Sequence, residues 1–126
     1  MDKHIVDRSF EFAVRVVRVC HALEQKPGVG RELAKQLLRS GTSIGANVEE
    51  AQAGHSRLDF IAKIVIAQRE ARETRYWLRL LEATELVTST RLLAIREEAD
   101  SLVRILSKIV VTTRRRPAVT SAKPKV

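Results

Sequence analysis

Residues able to do chemistry are few in this chain, and their spacing argues against catalysis. The three histidines, His4, His21 and His55, fall at the N-terminus, in a helical segment and in a turn. A di-metal carboxylate site in a helical bundle needs two inward-facing Glu-x-x-His motifs. The chain offers only the reversed pair His21-x-x-Glu24. Glu49 and Glu50 are adjacent, and neighbouring helical residues point about 100° apart, so these carboxylates do not converge on one substrate unaided. Pro27-Gly28-Val29-Gly30 lacks the Gly-Lys-Ser/Thr pattern of a phosphate-cradling loop. A single cysteine, Cys20, excludes an internal disulfide framework and a cysteine-rich zinc site, and fits a reducing compartment. The expectation is a protein that is not an enzyme and uses no metal or cofactor.

Positive charge is the stronger signal. The net charge is +8, and it is unevenly placed. Residues 1–100 hold 16 Lys and Arg against 15 Asp and Glu, whereas residues 101–126 hold Arg104, Lys108, Arg114, Arg115, Arg116, Lys123 and Lys125 with no acid. Cations at a helix C-terminus gain about 0.3–1 kcal/mol from the helix dipole, which gives part of the cluster a structural reason. Lys123 and Lys125 have no such reason. These seven residues are the candidate contacts to a nucleic-acid backbone. No aromatic side chain interleaves them, so phosphate binding without base readout is expected, from RNA or DNA alike. A solubilising tail is the plainer alternative.

The elements that must position these residues follow from composition and period. A chain of 126 residues holds one domain. Its 44% apolar and 30% charged residues are those of a globular protein, and with only 4% aromatics the core must come from Leu, Ile, Val and Ala. Nothing approaches the roughly 18 apolar residues of a membrane span, and no leader-like stretch opens the chain. A soluble, cytoplasmic protein is expected.

Four helices are predicted. The first, from about residue 7 to 25, has charges at Arg8, Glu11, Arg15 and Arg18 on one face and two apolar rows, Phe10-Ala13-Val17-Cys20 and Phe12-Val16-Val19-Leu23. The second, from about 31 to 53, contains Gly41 and Gly45 one turn apart. They mark either a side-chain-free groove for close helix packing or a break into two helices, since each Gly costs about 1 kcal/mol relative to Ala within a helix. The third follows a Ser56/Asp59 capping pair and runs to about Thr84, with Ile61, Ile64, Gln68, Ala71, Arg75 and Leu78 in heptad spacing. Gln68 and Arg75 are polar members of that row, either wetted at its edge or set against a second subunit. The fourth carries Leu92, Ile95, Ala99, Leu102, Leu106 and Ile109 in unbroken 3-4 alternation and ends at Arg114-Arg115-Arg116-Pro117. Short connections make consecutive helices antiparallel, so the fold class is all-α: an antiparallel up-down four-helix bundle over residues 1–113 with a basic C-terminal tail, 114–126, read as disordered from 117.

The tract Leu37-Leu38-Arg39-Ser40-Gly41-Thr42-Ser43-Ile44-Gly45-Ala46-Asn47-Val48-Glu49-Glu50-Ala51, followed by Asp59-Phe60-Ile61 and Glu70-Ala71-Arg72-Glu73-Thr74-Arg75-Tyr76-Trp77-Leu78, resembles the four-helix-bundle family of 23S rRNA intervening-sequence proteins. The resemblance extends over roughly residues 5–113. That family is related to the accessory variability determinant of diversity-generating retroelements, a basic pentameric barrel that binds nucleic acid and a reverse transcriptase. The resemblance therefore implies a homo-oligomer, a pentamer, with Gln68 and Arg75 at its subunit interface. It also implies nucleic acid and a reverse transcriptase or ribonucleoprotein as partners. The competing function is a protein–protein scaffold with incidental affinity for polyanions.

Overall fold

A computed structural model of the chain describes residues 3–115, as four helices: α1 (Lys3–Leu23), α2 (Val29–Gln52), α3 (Arg57–Ala83) and α4 (Ser89–Arg115). The tail from residue 117, together with Arg116, Lys123 and Lys125, lies outside the described residues. Arg114 and Arg115 belong to the last turn of α4. α2 runs unbroken through Gly41 and Gly45.

Each helix begins and ends for local reasons. Gly28 precedes α2 with φ 129°, a backbone conformation that a side chain disfavours. Ser56 caps α3, its hydroxyl oxygen accepting from the Asp59 N–H at 3.0 Å. Thr88 does the same for Arg91 N–H at the start of α4, at 3.3 Å. The end of α3 is a Schellman turn: Glu85 N–H donates to the Glu82 carbonyl at 3.0 Å and Leu86 N–H to the Leu81 carbonyl at 3.2 Å. Glu85 occupies its left-handed position with φ 61°, where glycine is usual.

The helices form a ring in which α2 packs on α1 and α3, and α4 packs on α3 and more lightly on α1; neither diagonal pair meets among the described residues. The α3 seam that enters the core is Ile64, Ala67, Ala71, Thr74, Leu78 and Leu81. Gln68 and Arg75 thus flank the core rather than occupy it, and small or hydroxyl-bearing neighbours take the inner positions. On α1 the two apolar rows divide: Phe12, Val16 and Cys20 are buried with Ile5, whereas Phe10 and Val17 remain 55% and 47% exposed.

The α1–α2 contact is set by small residues. A Cβ on Gly41 would lie 2.8 Å from both methyl carbons of Val16, and one on Gly45 would lie 3.1 Å from the Ser9 carbonyl oxygen. The absent side chains let the α1 backbone approach α2 directly. One turn into the adjoining α2–α3 contact, the buried hydroxyls of Ser40 and Thr74 sit 2.9 Å apart, so neither polar group is left unpaired in the core.

Candidate nucleic-acid interface

The basic residues of α4 are arranged by helical period. Arg104, Lys108 and Arg115 are separated by 4 and 7 residues and are all exposed, so they follow one another along the outer face of the helix. Arg104 is steadied by donating from Nη2 to the Ser101 hydroxyl at 3.1 Å. Arg114 is exposed in the same last turn, set off from that line. Of the seven cations expected from sequence to meet phosphate, these four are described, and the other three continue beyond Arg115.

The structure adds residues that charge counting does not single out. On α3, Arg69, Arg72, Tyr76 and Arg79 are spaced 3, 4 and 3 and are all exposed, which makes a second outward face. Its position relative to α4 is given by three ties across the α3–α4 seam. Gln68 Nε2 donates to the Ser107 hydroxyl at 3.1 Å, Arg75 Nη1 lies 3.9 Å from Asp100 Oδ1, and Arg96 pairs with Glu82. The register these ties define places Arg72 at the level of Arg104, so the two basic faces adjoin. Gln68 and Arg75 therefore find their polar partners on α4 of the same chain.

Those ties also decide the net charge of the surface. Glu70 and Glu73 are held by Arg39 of α2, Glu82 by Arg96, Asp100 by Arg75, and Glu98 by Arg8 of α1. The Arg96 guanidinium beside Glu82 holds its carboxyl below the usual carboxylate range. Arg69, Arg72, Arg79, Arg104 and Lys108 have no carboxylate partner among the described residues, and on α4 only Glu97 of the three acids is unpaired there. Five acids of α3 and α4, Glu70, Glu73, Glu82, Glu98 and Asp100, are thus taken up in ties between helices. The outer cations are left uncompensated, and a field of one sign on one face attracts polyanions. A sequence signal exists in the 3-4-3 spacing of Arg69, Arg72, Tyr76 and Arg79, but not in the charge count.

The remaining chemistry-bearing groups are placed quietly. Cys20 is buried, donates from Sγ to the Ala34 carbonyl at 3.3 Å, and has its thiol pushed up to about 12 by burial and secondarily by Glu24. Among the described residues no three His, Cys, Asp or Glu side chains are grouped to hold a metal ion. No helix of the described residues is long and apolar enough to cross a membrane.

An up-down ring of four helices with a basic outer face on its second hairpin defines a small helical-bundle protein. The family model of the 23S rRNA-intervening sequence protein matches residues 1–108, and the chain belongs to that family. It is also similar, at 45% identity and a TM-score of 0.78, to a solved protein of unknown function from the S23 ribosomal protein family of Bacteroides thetaiotaomicron. The likeness covers 84% of this chain and 97% of that one. No curated protein sequence is significantly similar to it. The family match ends at Lys108, so Arg69, Arg72, Arg79, Arg104 and Lys108 lie within it, and Arg114, Arg115, Arg116, Lys123 and Lys125 lie beyond.

Proposed function

We propose that this protein is a homo-oligomeric adaptor that binds nucleic acid through the phosphate backbone, without base-edge readout, in a cytoplasmic ribonucleoprotein or reverse-transcriptase complex, and that it is not an enzyme. The observation that carries the reading is the uncompensated cation face: Arg104, Lys108 and Arg115 in line on α4 beside the unpaired Arg69, Arg72 and Arg79 of α3. Arg114, Arg116, Lys123 and Lys125 extend it in the sequence. The family's association with an rRNA insertion, and the resemblance to the retroelement variability determinant, support this partner class. A pentamer would repeat the face five times around an axis and multiply a weak contact into a strong one. Arg75 is 38% exposed in its side chain and 3.9 Å from Asp100, a loose pair that leaves the guanidinium able to reach a second copy beside Gln68.

Phosphate contacts release counterions, so affinity falls with salt with a log–log slope of about −0.9 per contact on duplex DNA. Deleting residues 114–126 removes Arg114, Arg115, Arg116, Lys123 and Lys125 and leaves the core intact, because the last buried residue of α4 is Val110. The truncated protein is expected to bind RNA and DNA more weakly and with a shallower slope than the full chain. Equal binding by both removes the tail from the site, and no binding by the full chain at physiological salt removes the function. A second reading, the protein–protein scaffold, is favoured by the exposed Phe10 and Val17 on α1, which offer an apolar strip to another protein. It predicts polyanion affinity insensitive to both basic faces.

A further inference from the structure

The α3 basic face differs from the α4 face in one respect: it contains an aromatic ring. Tyr76 stands 53% exposed between Arg72 and Arg79. Its ring is not free to wander. Its ring and that of Trp77 meet in a T-shaped arrangement, with centroids 5.1 Å apart and planes at 74°. Trp77 is itself half-buried against the core, and its Nε1 donates to Glu73 Oε2 at 3.0 Å, a carboxylate also held by Arg39. An exposed aromatic face held by a neighbouring ring and a chain of polar ties is a pre-organised stacking surface.

The ring borders a cleft of about 530 Å³ between α3 and α4, lined by Tyr76, Arg79, Leu80, Glu82, Arg96 and Asp100. That volume lies within the range of about 300–1,000 Å³ found for small-ligand sites. The polar lining is mixed: Glu82 and Arg96 neutralise one another, Asp100 is shared with Arg75, and Arg79 is unpaired. One wall is thus aromatic, and the unpaired Arg79 guanidinium stands beside it. This combination suits a planar base whose phosphate meets a cation, and it suits only an unpaired base, because a base within a duplex already has both faces stacked.

We propose that the Tyr76 cleft is a nucleobase-stacking site for single-stranded nucleic acid, with Arg72 and Arg79 holding the flanking phosphates. The proposal rests on the nucleic-acid reading above and deepens it by naming single strands as the preferred ligand. Stacking on a π-face tolerates any base, so it remains compatible with contact that lacks base-edge readout.

The chain's one tyrosine and one tryptophan are adjacent, so its intrinsic emission reports on this site alone. The experiment titrates the full chain at low salt with end-labelled oligouridylate, oligothymidylate and a duplex of equal length. Label anisotropy gives affinity and protein emission gives stacking. The single strands are expected to quench the emission and the duplex to leave it nearly unchanged. Tyr76→Ala is expected to weaken single-strand binding about tenfold, the loss of one stacked base, and to leave duplex binding unchanged. Tyr76→Phe, which keeps the π-face, should stay within about twofold of the parent chain. Arg79→Gln should weaken binding and reduce the salt slope by about one contact. The inference is overturned if Tyr76→Ala binds single strands like the parent chain, or loses single-strand and duplex affinity equally, while the parent chain still binds; only the stacking site then fails. If the parent chain binds none of the three probes at low salt, the nucleic-acid reading fails with it.

Discussion

The two hairpins of the bundle are held together differently. Between α1 and α2 the contact is steric: Gly41 and Gly45 admit Val16 and the Ser9 backbone. Between α3 and α4 the seam is crossed by polar ties, Gln68–Ser107, Arg75–Asp100 and Glu82–Arg96. The first seam spends its sequence on shape, which leaves its outer surface unconstrained. The second, with Arg39 and Arg8 reaching in from α2 and α1, pairs Glu70, Glu73, Glu82, Glu98 and Asp100 and leaves the outward arginines of α3 and α4 unbalanced. Charge on a protein surface is therefore a matter of which groups the fold has already paired, and a near-neutral segment can present a basic face.

Substitutions that insert bulk should break the steric seam and spare the charged one. Gly45→Leu is expected to cost about 3 kcal/mol or more, because the side chain must displace the Ser9 backbone, and Gly41→Ala about 1–3 kcal/mol against the stiff, buried Val16. Urea denaturation measures both. Val16→Ala should restore part of the Gly41→Ala loss, as coupled neighbours do. A Gly45→Ala protein more stable than the parent chain would show that no close approach exists there.

Smaller effects sharpen the contrast. Arg8 donates to both carboxylate oxygens of Glu98, at 2.9 and 2.7 Å, tying α1 to α4 where their packing is lightest. Both side chains are partly wetted, so Arg8→Ala should cost about 1 kcal/mol by denaturation and less at high salt. Glu85→Gly should gain about 1 kcal/mol by relieving the left-handed backbone at the end of α3. Thiol reagents should leave folded Cys20 unmodified at neutral pH and label it on unfolding. The thiol is held protonated in the fold up to about pH 12, against 9.0 for a free thiol. Its contribution is therefore intact below about pH 9 and lost as pH rises toward the folded value. Arg72→Gln should change stability by no more than about 0.5 kcal/mol while weakening oligonucleotide binding.

Much of the architecture is legible in the sequence because 3-4 alternation on α4 has no competing interpretation. The Gly41/Gly45 spacing is legible as a groove or as a break, and the continuous α2 answers which. Three features are not legible, each for a physical reason. On α1 both apolar rows are plausible cores, and only the neighbours decide that Phe12 and Val16 turn inward while Phe10 and Val17 do not. On α3 the row containing Gln68 and Arg75 has the same period as the true seam through Ala67 and Thr74. The two rows share Ile64, Ala71 and Leu78 and differ by one residue at the alternate positions, Gln68 for Ala67 and Arg75 for Thr74, and period alone cannot choose between them. The Arg69–Arg79 face is hidden in a balanced charge count, because the count does not know that Glu70, Glu73, Glu82 and Asp100 have partners. The candidate site is accordingly legible at its C-terminal end and obscure on α3.

The most direct test is photo-cross-linking of the full chain to oligouridylate, followed by peptide mapping of the adducts. Adducts concentrated on residues 69–79 of α3 and from Arg104 onward, with α1 and the outer face of α2 unlabelled, are the predicted result. Adducts spread evenly over the four helices, or gathered on α1 and α2, would contradict it.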